Sequence, residues 1–449
     1  MKKIAILVFF TVGFFVHVWA CTGLIAGKQA TVDGSVLVTY SADSHTLYGA
    51  LTSSPAADWP KGSMRSIVEW DTNKPLGEIE QVEHTYAVIG NMNEHQLTVV
   101  ESTWGGRPEL VDTTGIIDYG SLMQLALERA KTAREAIKVM TGLVKKYGYY
   151  SSGESFTIAD PNEAWILDLI GKGPGRRGAV WVAVRIPDDC IAGHANYPRI
   201  HKIPMDDKEN CLYSPDVISF AREMGYFDGL NKDFSFARAY SPADFGALRA
   251  CDARVWSFFR KYDSTMDNYL PYVNGESAEP FPLYVKPSRK LSVQDMKEAM
   301  RDHFEDTPFD MTQDVGAGPF KVPYRFRPMS FEVDGKSYCM ERAIATQQTG
   351  FTLVGQMRNW LPDPVGGVLW FGVDDANTCV YIPMYCGITQ VPECFSPENG
   401  SMYDFSWTSA FWIHNWVANM AYARYEPMIG DIRKVQSAVE TSLNLRQPA

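Results

Sequence analysis

The sequence predicts an α+β protein, with blocks of strands set against blocks of helices rather than alternating βαβ units. Two observations carry this. Residues 22–26, 35–40, 86–89 and 97–103 read as short strands, with Asp33-Gly34 as a turn and 91–96 as a hairpin connection. Residues 121–130 and 133–147 then carry Leu, Met, Ile and Val at helical spacing, with Lys and Glu between them. Strand signals return at 155–159, 164–170 and 180–186, the first two joined by the turn Asp160-Pro161-Asn162. Residues 204–292 are rich in Gly, Pro, Asn and aromatics and read as loops. A short helix is expected over 294–304, a third strand region over about 337–384, and closing helices over 406–425 and 432–445. No repeat, low-complexity tract or linker breaks the chain, so residues 21–449 are expected to form one domain.

Composition narrows the function classes. The net charge of −11 comes with no dense Lys/Arg run, which argues against a nucleic-acid partner, since phosphates need a basic face. Residues 1–20 have the pattern of a secretory signal peptide: Lys2-Lys3, an apolar run over 4–16, and Val18-Trp19-Ala20 before the cut. That run is too short for an ordinary membrane span, so no stable span is expected after cleavage. The expected location is the periplasm or the extracellular space. Eight cysteines occur, and their spacing contains no CxxC zinc pair. Cys379, Cys386 and Cys394 are expected as buried thiols or one local disulfide.

Cleavage before Cys21 would put a free thiol and a free α-amine on one residue. An α-amine has a pKa of roughly 7.7–8, close to where a general base works best. The amine takes the thiol proton, the thiolate attacks an acyl carbon, and the ammonium later protonates the leaving amine. Such chemistry calls for no metal or organic cofactor. Three other readings compete: Cys21 as the structural start of a strand, a lipoprotein cysteine for which Trp19 is a poor preceding residue, and a papain-like Cys–His pair. The last would draw on His84, His95, His194 or His414, none of which lies in a papain-like local context. No HExxH is present for a zinc peptidase.

Several blocks of sequence carry a resemblance. They are Cys21-Thr22-Gly23-Leu24-Ile25-Ala26-Gly27-Lys28 with Asp33-Gly34-Ser35 and Asp43-Ser44, then Asn93-Glu94-His95 with Glu101-Ser102-Thr103-Trp104. Ile158-Ala159-Asp160-Pro161 with Glu163-Ala164-Trp165, His194-Ala195-Asn196 with Arg199-Ile200, and Gly366-Gly367-Val368-Leu369-Trp370 follow. In this order they resemble the bacterial N-terminal-nucleophile cysteine dipeptidases of the PepD type, relatives of penicillin V acylases and bile-salt hydrolases.

The resemblance implies an αββα sandwich, two stacked and mostly antiparallel sheets flanked by helices. It implies an exported cysteine peptidase that cleaves dipeptides or short peptides through a thioester. It assigns Cys21 as nucleophile, Asp43 as the carboxylate holding the nucleophile's amine, and Asn196 as an oxyanion donor. Arg254 lies in a segment resembling one that carries a site arginine. Two positions depart from the relatives. Tyr40 stands where they place an arginine, and Thr103 stands where the amidases carry a second asparagine, although its hydroxyl or N–H still offers a donor. Structural roles stay open beside these: a turn at Asp43, a turn at Asn196 before Pro198, and an ordinary strand residue at Thr103. Arg199, Arg254 and Arg342 are candidate partners for a substrate carboxylate. A C–N amidase on a non-peptide acyl amide and a non-catalytic binding lipoprotein are the alternative functions.

Overall fold

The computed structural model describes residues 21–325, 330–339 and 341–447. The expected signal peptide lies outside these residues. Among the described residues the strands form two large antiparallel sheets, of seven and eight strands, with three small two-stranded ribbons. The seven-stranded sheet runs in the order Tyr284–Val285, Ile191–His194, Gly23–Ala26, Val36–Asp43, Thr349–Met357, Val368–Val373, Ile382–Tyr385. The eight-stranded sheet runs Cys211–Tyr213, Ala179–Ile186, Ala164–Gly171, Gly153–Ala159, Thr98–Trp104, Met92–Asn93, Val88–Ile89, Ser53–Ser54.

Strand alternation builds the layers. Side chains along a strand point to opposite faces in turn. Ile25, Val36, Val38, Leu353 and Leu369 share one core with Val100, Ile166 and Val182 of the other sheet. Their neighbours Leu24, Leu37, Val354 and Val368 point the other way, onto a second core with Val255 and Phe258 of the helix Ala253–Arg260 and Met296 of the helix Val293–Met300. On the eight-stranded sheet Val99, Trp165 and Leu167 meet Leu122 and Leu125 of the helix Tyr119–Arg129 and Ile137 and Met140 of the helix Ala133–Tyr147. Each sheet therefore faces its partner on one side and helices on the other. Full burial of each such apolar side chain stabilises by roughly 1.5–3 kcal/mol.

The helix Ala133–Tyr147 shows why its segment was legible. The Thr132 side chain accepts from the Glu135 N–H, Lys145 and Lys146 sit in the last turn, and Gly148 ends the helix at φ +82°. The expected strand at 86–89 shrinks to Val88–Ile89, and the two closing helices are Ala410–Ala423 and Tyr425–Leu445. The expected loop region 204–292 contains the helix Ala253–Arg260. That helix is only eight residues long, shorter than the window over which a helical period can be recognised, and all its residues but Arg260 are buried. No described helix is long and apolar enough to cross a membrane.

Candidate active site around Cys21

Cys21 precedes the strand Gly23–Ala26, which lies between Ile191–His194 and Val36–Asp43. Gly23 stands opposite His194, and a Cβ there would come within 2.8 Å of the imidazole, so only glycine permits this approach. A bridge between Thr22 and Ser41 sets Cys21 beside the end of the strand that carries Tyr40 and Asp43. From the other sheet comes Thr98–Trp104. Thr98 is its one described residue paired to Met92 on the far side, which leaves the Glu101–Trp104 stretch at an open edge. Cys21, Tyr40, Asp43, Glu101 and Thr103 line a cavity of about 340 Å³ at this meeting of sheet end and sheet edge. A larger open cleft of about 960 Å³, lined by Arg199, His201 and Phe281 among others, holds no cysteine. The smaller cavity is the candidate site because it alone of the two has a cysteine thiol in its wall.

The thiol is 97% buried. Its Sγ lies 3.6 Å from the Tyr40 hydroxyl and 3.4 Å from Glu101 Oε1, and Tyr40 donates to that same carboxylate oxygen. Burial pushes the thiol pKa well up, the charges of Glu101 and Asp43 push it further, and the Asp43 N–H and the Tyr40 hydroxyl oppose this only in part. The Tyr40 hydroxyl is also pushed up, by burial and then by Cys21 and Glu101. With Tyr40 and two carboxylates for neighbours and no cation lining the cavity among the described residues, a thiolate here needs a base and a positive charge brought to it.

Asp43 is fixed rather than free. Its carboxylate accepts from Arg342 Nη2 at 2.7 Å, from Thr349 Oγ1 at 2.6 Å and from Ser41 Oγ at 3.1 Å. The strand pairing slips between Thr349 and Phe351, opposite this end of the strand. Arg342 is therefore engaged with Asp43, and Arg199 with Asp252 at 3.2 Å. Neither is spare for a substrate carboxylate.

Arg254 uses its whole guanidinium on the scaffold. It donates to the Cys21 carbonyl and Thr22 Oγ1, both at 2.8 Å, to Ala195 O at 3.1 Å, to Asn196 Oδ1 at 2.8 Å and to Ala250 O at 2.8 Å. It ties the Cys21 segment to the Asn196 turn and has no donor left for a carboxylate. Burial, followed by repulsion from Arg342, lowers its pKa to about 10. Asn196 adopts φ +59°, a left-handed conformation that asparagine tolerates better than most residues. With Oδ1 held by Arg254, its amide nitrogen points to the Thr103 carbonyl at 2.6 Å. The Thr103 hydroxyl donates to Glu154 Oε1 at 2.7 Å. The five residues singled out in the sequence, Cys21, Asp43, Thr103, Asn196 and Arg254, thus come together through two sheets and one helix.

The histidines do not join them. His194 lies between Ser102 Oγ at 2.6 Å and Thr157 Oγ1 at 2.8 Å, and burial, with Arg254 and Arg199, lowers its pKa to about 3. His84 pairs with Asp58, His95 with Asp363, and His414 with the Ala410 carbonyl. No histidine lines the cavity among the described residues. Cys379, Cys386 and Cys394 form no disulfide, and the first two are buried.

Glu101 and Glu154 are the residues sequence reasoning passed over. Glu101 lies two positions before Thr103 on one strand, so both side chains share a face. That parity was the available signal. Glu154 pairs directly with Thr103 across the strands. Burial, then the charge of Glu101, holds the Glu154 carboxyl well above its usual range.

The profile of peptidase family C69 matches residues 20–438. A probable dipeptidase of Latilactobacillus sakei is 24% identical over 429 residues, covering 90% of this chain and 82% of the relative. A probable dipeptidase of Salmonella dublin is 27% identical over 396 residues, covering 82% and 81%. Dipeptidase A of Lactobacillus helveticus is 24% identical over 429 residues, covering 90% and 82%. A buried thiol in the wall of a cavity, among carboxylates and tied through its carbonyl to one guanidinium, lies within a match that spans nearly the whole sequence, and the chain belongs to peptidase family C69.

Proposed function

We propose that the chain is an exported cysteine-type dipeptidase, a single N-terminal-nucleophile domain of the αββα kind, matured by cleavage between Ala20 and Cys21. The helix–sheet–sheet–helix order of the three cores fits that fold. One observation carries the reading: Cys21, directly after the expected cleavage site, places its thiol in the wall of the cavity beside Asp43 and Glu101, with no imidazole in that wall among the described residues.

The chemistry follows from that arrangement. The α-amine of mature Cys21 takes the thiol proton, and the neighbouring carboxylates that disfavour a lone thiolate favour the resulting ammonium. The thiolate adds to the peptide carbonyl carbon. Charge moves to the carbonyl oxygen, where the Asn196 amide and a Thr103 donor stabilise it. Collapse breaks the C–N bond, and the ammonium proton goes to the leaving amine. Water, deprotonated by the α-amine, then attacks the thioester, releasing a carboxylic acid and regenerating the thiol. Arg254 is a positioning residue that holds the Cys21 carbonyl and the Asn196 amide in register.

Mass spectrometry of the exported protein together with a dipeptide assay tests this. The expected mass is that of residues 21–449 with an unmodified amine, and that species turns over dipeptides. A chain starting elsewhere lacks the base, and a diacylglyceryl adduct on the Cys21 sulfur blocks the nucleophile; either overturns the mechanism.

A further inference from the structure

Three buried acids are matched by an arginine: Asp43 by Arg342, Asp252 by Arg199 and Glu440 by Arg301. Glu101 is not. Glu101 is 98% buried, lines the cavity, and accepts on Oε1 from the Tyr40 hydroxyl and the Cys21 thiol. Its other neighbour is the Glu154 carboxyl, with which it forms a hydrogen-bonded pair of acids, so the pair has no cation among the described residues to offset its charge. Asp71 adds a third carboxylate at the exposed rim, held by the Tyr119 hydroxyl at 2.8 Å. No Lys, Arg or His lines the cavity among the described residues. A buried negative charge without a counter-ion is costly, so its neutralising group is expected to arrive with the ligand.

Covalent geometry narrows which cation this is. In a peptide the α-nitrogen lies about 2.5 Å from the adjoining carbonyl carbon. A thiolate poised for attack lies about 3–3.5 Å from that carbon. The α-ammonium of the residue being cleaved off therefore falls within about 5 Å of Sγ, and Glu101 Oε1 stands 3.4 Å from Sγ. Thr22 pairs with Ser41 on the strand that carries Asp43, while Glu101 reaches the thiol from the opposite sheet.

On the reading that Cys21 is the nucleophile, we infer that Glu101, backed by Glu154, binds the α-ammonium of the substrate, so that the site selects peptides with a free N-terminal amine. The first side chain of such a peptide then meets the apolar wall of Leu47, Met123, Phe351 and Phe371. Acyl amides without an amine leave the charge unpaired and are poor substrates.

Three matched compounds test this on the mature full-length enzyme: Leu-Gly, its Nα-acetyl derivative, and 4-methylpentanoyl-glycine, which lacks only the amine. The expected kcat/KM for Leu-Gly exceeds both others by about 10- to 100-fold, the range for a hydrogen bond to a buried charge. Glu101→Gln collapses the ratio between Leu-Gly and 4-methylpentanoyl-glycine, chiefly through KM. Equal loss on both compounds means that Glu101 serves the thiol or its own α-amine, and overturns the inference. So does a wild-type enzyme that cleaves the amine-free compound as well as Leu-Gly. Should Glu101→Gln not fold, product inhibition of the wild type decides: leucine inhibits more tightly than 4-methylpentanoate, and equal inhibition refutes the assignment. Turnover of Leu-Gly by Cys21→Ala would instead refute the nucleophile itself, a separate failure.

Discussion

Glu440 and Glu101 are both almost wholly buried, yet the fold treats them in opposite ways. Glu440 accepts from Arg301 Nη2 at 2.5 Å and Nη1 at 3.2 Å, and from the Tyr381 N–H at 3.1 Å. Burial pushes its carboxyl up, but the bonds and charge of Arg301 more than offset this and hold it below the usual range. Every oxygen is used, and the pair locks the last helix to the strand region before it. Glu101 has instead a tyrosine, a thiol and a second carboxylic acid as neighbours. A buried charge that is matched serves structure, and one left unmatched inside a cavity beside a nucleophile is kept for a ligand.

The contrast can be broken from either side. The largest effect is expected from Cys21→Ala, which removes the proposed nucleophile and lowers kcat by more than about 10³-fold. Its thermal melt should stay close to that of the parent, because one small side chain at a cavity wall contributes little packing. Retained turnover in the purified variant would place the chemistry elsewhere.

Arg301→Met acts on the matched site. It leaves Glu440 buried without its cation, which is expected to cost about 3–5 kcal/mol of stability. Urea unfolding measures this. The kcat/KM of molecules still folded should remain within about two-fold, since Arg301 does not line the cavity. A change in kinetics at unchanged stability would erase the distinction between the two acids.

Asn196→Ala sharpens the comparison at the site itself. Loss of one oxyanion donor lowers kcat by about 10²–10³-fold, equivalent to roughly 2.7–4 kcal/mol, with kcat/KM falling in parallel. A raised KM at constant kcat would make Asn196 a substrate-binding residue. A lower melting point with activity per folded molecule kept would make it only the left-handed turn that its φ describes.

Much of this was legible in the chain before any tertiary contact was considered. The strand-like, β-branched runs over 35–40 and 97–103, the Asp33-Gly34 turn and the helical pattern within Ala133–Tyr147 are local events, written in neighbouring residues. The place of Cys21 directly after a small-residue cleavage pattern is local too. The helix Ala253–Arg260 was not legible, because its eight residues are too few to establish a helical period within a loop-rich stretch, so the element that places Arg254 emerged only in the fold.

Only the tertiary structure decided how charges are shared. Glu101 meets Cys21 across 80 residues, Arg254 reaches the Cys21 carbonyl across 233, and Arg342 closes on Asp43 across 299. Parity fixes which face of a strand a side chain occupies, but which strand end meets which open edge depends on how two sheets pack and twist against each other. An arginine that looked able to clamp a carboxylate in substrate thus became the partner of Asp43. A glutamate two positions from a singled-out threonine became the unpaired charge at the thiol. Composition and periodicity record how much each residue is buried, while a counter-ion is assigned by long-range register.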